Sequence, residues 1–178
     1  SGIPRVEFIK TDGSVTNANS VSLTSSTVLA VNATLALGNY YVRVELDTGL
    51  AARSANAIIT ASTAPAFSTN AGSLGTVTAG QSVSGISVSA SSDSNVTITE
   101  TTSVLTSNAN TPAATMNLSL SGSAATNATY NITGTAPSPT QNKVYSFTLK
   151  AQDAENQFVT RDFTLTVSVG ATGGGQFN

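Results

Sequence analysis

Two stretches decide how this chain is read: Tyr145-Ser146-Phe147-Thr148-Leu149-Lys150-Ala151-Gln152-Asp153 and Phe163-Thr164-Leu165-Thr166-Val167. In the first, Tyr145, Phe147, Leu149 and Ala151 alternate with Ser146, Thr148 and Lys150. In the second, Phe163, Leu165 and Val167, followed by Val169, alternate with Thr164, Thr166 and Ser168. Successive side chains of a strand point to opposite faces, so each stretch makes a strand with one apolar face and one hydroxyl face. Between them, Asp153-Ala154-Glu155-Asn156 supplies turn formers, and Asp153 starts the hairpin.

The same period runs through the rest of the chain. Tyr40, Val42, Val44 and Leu46 share one face of a strand, and Tyr41, Arg43, Glu45 and Asp47 share the other. Shorter strands are predicted over Val6–Ile9, Val21–Thr24, Val28–Val31, Ala57–Ala61, Ile86–Ala90, Val96–Glu100, Met116–Leu120 and Tyr130–Thr133. Gly85 breaks the parity between Val83 and Ile86 and reads as a bulge. Helical periodicity is nearly absent, so no crossover helix can join parallel strands. The expected fold is all-β, as two tandem immunoglobulin-like antiparallel β-sandwiches. Pro65 cannot donate to a ladder and restricts Ala64, which places a linker there. Residues 1–63 then form the first unit and 66–170 the second, with 171–178 a flexible Gly-rich tail.

Composition removes most chemistries. The 178 residues include no Cys, no His and no Trp, which excludes disulfides, thiolate or imidazole catalysis and the common zinc sites. Seven basic against nine acidic residues leave a net charge of -2, with no electrostatic footprint for nucleic acid or an anionic membrane. No apolar run has the length of a membrane span. The hydrophobic share of 39% is too high for a disordered chain, and 25 Ser plus 28 Thr supply the solvated strand faces in place of Lys and Glu.

Leu118-Ser119-Leu120, Tyr130-Asn131-Ile132-Thr133-Gly134-Thr135-Ala136-Pro137, and the two opening stretches follow one another in the order G-L-S-L, I-x-G-T-P, Y-x-F-T-V-x-A-x-D, F-x-L-x-V. In this the second unit resembles the cadherin-like immunoglobulin repeat family. Its one departure, Ala136 inserted before Pro137, is expected only to lengthen a loop, and Gly134 is expected in a turn. Val21-Ser22-Leu23-Thr24-Ser25-Ser26-Thr27-Val28-Leu29-Ala30-Val31, then Gly38-Asn39-Tyr40-Tyr41-Val42-Arg43-Val44, looks like the second half of an IPT/TIG domain. The opening strands of that family have no counterpart. The first unit is therefore expected to be a partial sandwich, its missing strands lying upstream of Ser1 or supplied by a neighbouring chain.

These resemblances imply a structural protein of a tailed-phage particle, an exterior decoration or fibre component that packs against other virion subunits, oligomerises, and touches a host glycan or protein. The alternative is a fragment of a bacterial cell-surface adhesin or filament subunit, located extracellularly. Neither reading involves an enzyme, a cofactor, nucleic acid or membrane insertion. Candidate sites are few. Asp153 and Glu155 offer oxygen ligands for Ca²⁺ in a turn, although solvation is the commoner role of such carboxylates. Tyr41 is the exposed aromatic that could contact a ligand, while Tyr40, Tyr145, Phe147 and Phe163 read as core. Lys143 or Lys150 could enter an isopeptide bond only if buried beside an Asn and an acid. The stretch Asn108–Thr115 reads as an exposed loop, where binding specificity often resides.

Overall fold

The computed structural model describes residues 2–106 and 116–170, and the chain divides into two compact units, Ser1–Thr63 and Ala64–Asn178. The stretch Asn108–Thr115 and the tail 171–178 lie outside the described residues. Those described form strands and turns without a helix, so none of them builds a helix long and apolar enough to cross a membrane.

The first unit holds β1 (Arg5–Lys10), β2 (Val15–Asn17), β3 (Ser20–Ser25), β4 (Val28–Asn32), β5 (Gly38–Glu45), β6 (Ala51–Arg53) and β7 (Ile59–Ala61). One sheet runs in the order β2-β1-β5-β6, with β7 pairing the start of β5. The hairpin β3–β4 forms a separate two-stranded sheet. Alternation on β1 and β5 drives Val6, Phe8 and Tyr40 into a small core, flanked by the half-buried Val21, Leu29, Val42 and Val44. The Tyr40 hydroxyl donates to the carbonyl of Ala36, four residues upstream, at 2.6 Å. A tyrosine near the start of a strand tied back to upstream backbone is the corner of immunoglobulin-type sandwiches, and it marks β5 as strand F of that arrangement.

The second unit holds β8 (Ala66–Phe67), β9 (Gly72–Thr78), β10 (Ser82–Glu100), β11 (Ser119–Gly122), β12 (Ala125–Thr135), β13 (Lys143–Gln152) and β14 (Phe158–Ser168). Residues Ser82–Val96 of β10 pair with β12, and Thr97–Glu100 pair with β13. One long strand thus changes sheets near Ser92–Asn95 and gives the orders β8-β10-β12-β11 and β10-β13-β14-β9. Taken as A-B-E-D and C-F-G with an added edge strand, these are the two sheets of an immunoglobulin-like sandwich. The core is formed by the apolar parity of the two opening stretches, Tyr145, Phe147, Leu149, Ala151, Phe163, Leu165 and Val167, packed on Val88, Val96, Ile98, Tyr130 and Ile132. Phe163 meets Phe67 edge-on with centroids 5.7 Å apart.

The bulge at Gly85 is present: the register of β10 on β12 shifts between Val83 and Ile86, and Gly85 has φ +73°. Other expectations need correction. The predicted strands Ile86–Ala90 and Val96–Glu100 are one continuous strand, because the corner residues between them keep extended backbone. Gly134 lies within β12 opposite Val83, with φ +131°, rather than in a turn. Ala136 follows the end of β12 and so lies in the loop, but it is buried, donates its N–H to the Gln81 carbonyl at 2.9 Å and accepts from Gly80 N–H at 3.0 Å, so the inserted residue packs into the core as well as lengthening the loop. Met116 and Leu118 are buried ahead of β11, which begins at Ser119. The sandwich is also not wholly antiparallel, since β9 pairs with β14 in parallel. Short strands β2, β6 and β8, and the Gly-interrupted β9, carry too little alternation to be legible beforehand.

Candidate interaction surfaces

The β3–β4 hairpin places Val21 opposite Val31 and Leu23 opposite Leu29, so four apolar side chains share one face. Val21 and Leu29 pack on the small core. Leu23 stays 57% exposed and Val31 38%. Beside them, Leu23, Val28, Leu29, Val44, Leu46 and Pro4 line an open groove of about 590 Å³. Thr24 is the extra residue of a bulge on β3, while β4 is regular, and among the described residues β4 pairs with β3 alone. The sequence holds the signal for this surface: from Gly13 to Val42 there is no Asp, Glu, Lys or Arg. Exposed edge strands are normally protected by such charges.

The outer face of the larger sheet in this unit has the opposite character. Register aligns Asn17, Glu7, Arg43 and Arg53 in one row and Val15, Ile9 and Tyr41 in the next. Glu7 is held between Arg5 at 2.6 Å and Arg43 at 2.7 Å, and Arg43 also reaches Glu45 at 2.9 Å. The hydrogen bond that Arg43 donates to Glu7, with the charge of Glu45 added, raises the Arg43 guanidinium above its ordinary value against the effect of burial. Tyr41 is half-buried, and the Arg53 guanidinium lies 4.7 Å from its ring centroid. One ring face is therefore covered by a cation, and Tyr41 belongs to a Tyr–Arg surface rather than to a bare aromatic platform.

Asp153 and Glu155 share the β13–β14 turn but have different partners. Asp153 Oδ1 accepts the N–H of Gln157 at 2.8 Å, and its carbonyl accepts from Asn156 N–H at 3.2 Å. The other oxygen, Oδ2, is buried without a hydrogen-bond partner. Glu155 accepts a hydrogen bond from the Ser94 hydroxyl, which itself accepts from Ala154 N–H at 3.2 Å. Among the described residues no three acidic side chains gather as a metal site. Asp153 thus closes the hairpin, and Glu155 ties it to the corner of β10. Neither candidate lysine is buried beside an Asn: Lys143 is exposed over the Tyr145 ring at 4.7 Å, and Lys150 donates to Gln152 at 2.9 Å.

The carboxylate that the sequence did not single out is Glu100. Its Oε1 accepts from the N–H groups of Val104 and Leu105 and from the Thr102 hydroxyl, and its Oε2 accepts from the N–H and hydroxyl of Thr106. Burial acts to raise its pKa, but the N–H groups of Thr106, Leu105 and Val104 outweigh burial and hold it below the ordinary value. This glutamate organises the loop that follows β10.

No protein-family model matches the chain, and no curated protein matches it. Among solved structures, the chain is similar to the BIgI domain of beta protein from S. agalactiae bound to CEACAM1, at 25% identity and TM-score 0.40, over 55% of this chain and 90% of that one. It is also similar to the fibronectin(III)-like modules of Clostridium thermocellum CbhA, at 15% identity and TM-score 0.33, over 100% of this chain and 86% of that one. A further likeness is to Dpr2 Ig1-Ig2 in complex with DIP-Theta Ig1-Ig3, at 14% identity and TM-score 0.33, over 94% of this chain and 85% of that one.

Proposed function

We propose that this chain is a non-enzymatic structural module of an extracellular assembly, an exterior decoration or fibre component of a phage particle, acting through strand pairing and face packing with neighbouring subunits. The observation that supports this reading is the β3–β4 hairpin, with its apolar face partly uncovered and its regular edge at β4 unpaired among the described residues. In the immunoglobulin order the strand beside E is B, and here the sheet ends at β4, the E position. Residues 1–63 are on this reading an incomplete IPT/TIG-like sandwich, and 66–170 a complete cadherin-like one. A strand from a neighbouring subunit pairs with β4 and lays alternate apolar side chains over Leu23, Leu29 and Leu46. The uncharged run from Gly13 to Val42 suits this, because neither strand of the hairpin carries an ion to be desolvated as the edge is buried, while Asp47, which also lines the groove, accepts the Gly2 N–H at 2.6 Å. The Tyr41–Arg53–Arg43 face supplies a second contact of the composition enriched at protein interfaces, and it fits a protein on a host surface or an adjacent subunit.

The test is a synthetic peptide of alternating Val and Thr, with Lys at each end, added to the purified chain. The amides of Val28–Asn32 should become protected from hydrogen exchange, and a peptide with Glu in place of Val should give no protection. Protection that is absent with the Val–Thr peptide, or that appears equally with the Glu peptide, overturns the proposal.

A further inference from the structure

The outer face of the β10-β13-β14 sheet carries a second, chemically different surface. Register sets Thr97, Gln152 and Phe158 in one row, Thr99, Lys150 and Thr160 in the next, and Thr148 with Asp162 in a third. Phe158 takes the outward parity of its strand and is 60% exposed, the one aromatic of β13 and β14 that does not enter the core. Lys150 Nζ sits 5.7 Å from its ring centroid and is oriented by Gln152. At the other end of the face, Thr102, Ser146, Thr148, Asp162 and Thr164 line an open groove of about 580 Å³. Its wall at Gly72 has no side chain, and a Cβ built there would meet nothing within 4 Å. Asp162 Oδ1 accepts the Thr148 hydroxyl at 2.6 Å, which fixes the carboxylate at the rim.

We propose that this face binds a neutral oligosaccharide, with one sugar ring in the Asp162 groove and a ring further along the chain stacked on Phe158. A carboxylate accepts two hydrogen bonds at once, which matches adjacent hydroxyls of a pyranose. Thr and Ser hydroxyls both donate and accept, so they satisfy sugar hydroxyls of either polarity. The apolar face of a sugar needs an exposed ring: Lys150 lies over Phe158 as Arg53 lies over Tyr41, but it is farther from the ring, and Phe158 stays mostly exposed where Tyr41 is half-buried. Four residues of strand separate Asp162 from Phe158, about 13 Å, a span that requires a short chain and not a monosaccharide. Lys150 offsets the charge of Asp162 between the two ends, so the face selects neither an anionic nor a cationic glycan. The surface lies wholly in the second unit, so its failure and the failure of strand pairing at β4 are separately readable.

The experiment is an NMR titration of the full chain with neutral trisaccharides (maltotriose, laminaritriose, cellotriose and tri-N-acetylchitotriose) up to about 10 mM, where weak single-site binding still registers. At least one should shift the amides of Thr148, Lys150, Asp162 and Phe158 in a saturable way. Asp162→Asn and Phe158→Ser should each weaken that binding by about tenfold or more, while Val144→Ser, at an exposed position elsewhere on the same strands, leaves it unchanged. Both Asp162 and Phe158 are exposed, and the amide spectrum of each variant reports its fold directly. No saturable shift with any of the four sugars overturns the proposal. Binding that survives both substitutions overturns it equally.

Discussion

Glu100 accepts five hydrogen bonds from residues 102–106, and every one is strongest when the carboxylate is ionised. Its folded pKa is depressed, so the unfolded chain binds the proton more readily. The stability it contributes is present above the ordinary glutamate value of 4.5 and is lost as pH falls through the lower folded value. Glu100→Gln should therefore destabilise the second unit by about 1–3 kcal/mol at neutral pH. The gap in melting temperature between variant and wild type should close as pH is lowered through the acid range. A gap independent of pH would mean that packing, and not charge, holds the loop. Sequence reasoning placed Tyr40 inside and Tyr41 outside from parity alone, and Asp153 at a hairpin start from turn chemistry. Glu100 is not legible in this way because three of its five donors are backbone N–H groups of a loop, and residue type carries no mark of where such groups point. Phe158 escapes for a related reason: it shares the parity of Thr160 and Asp162, so no apolar alternation marks the strand before Phe163, and β14 begins five residues earlier.

At the scale of the element, cross-strand register makes predictions that composition cannot. Gly122 on β11 stands opposite Tyr130 on β12. A Cβ at Gly122 would lie 2.6 Å from the Thr129 carbonyl oxygen and 2.7 Å from the Tyr130 ring. The carbonyl belongs to a central ladder and cannot yield as a flexible side chain would. Gly122→Ala should accordingly cost about 1–3 kcal/mol, measured by denaturant unfolding, through overpacking at the edge of the sheet. Gly85→Ala acts through a different cause, the positive φ of the bulge, because nothing lies within 4 Å of its Cβ position. Long alternating elements such as β5, β13 and β14 are legible because one face of each packs on a core and the period of two survives. Short edge strands escaped because three residues hold no period. The change of sheet within β10 escaped because a bend that keeps extended backbone leaves the parity almost intact.

The two units differ most in what they bury. Among the described residues the second has twenty buried residues in its core cluster, and the first has three. Small sandwiches bury a low fraction of their surface and are marginal on that ground alone. The first unit also leaves Ile3, Leu23, Leu50 and Ile58 each more than half exposed, so apolar area that could stabilise it stays in water. Its charges are balanced, with Arg5, Lys10, Arg43 and Arg53 against Glu7, Asp12, Glu45 and Asp47, while the second unit carries the net -2. Repulsion therefore does not explain the open hairpin, and incomplete burial does. On heating, the strands of the first unit should unfold at a lower temperature than those of the second, read residue by residue from hydrogen exchange or from the loss of NMR cross-peaks. Limited proteolysis should cut first within 1–63. Peptide pairing at β4 should then raise the lower transition and leave the upper one in place, because added burial acts only where area was left open. Equal melting of both units without any peptide would show that three buried residues and the Tyr40 corner already suffice, and that the uncovered face of β3–β4 is not a deficit waiting for a partner.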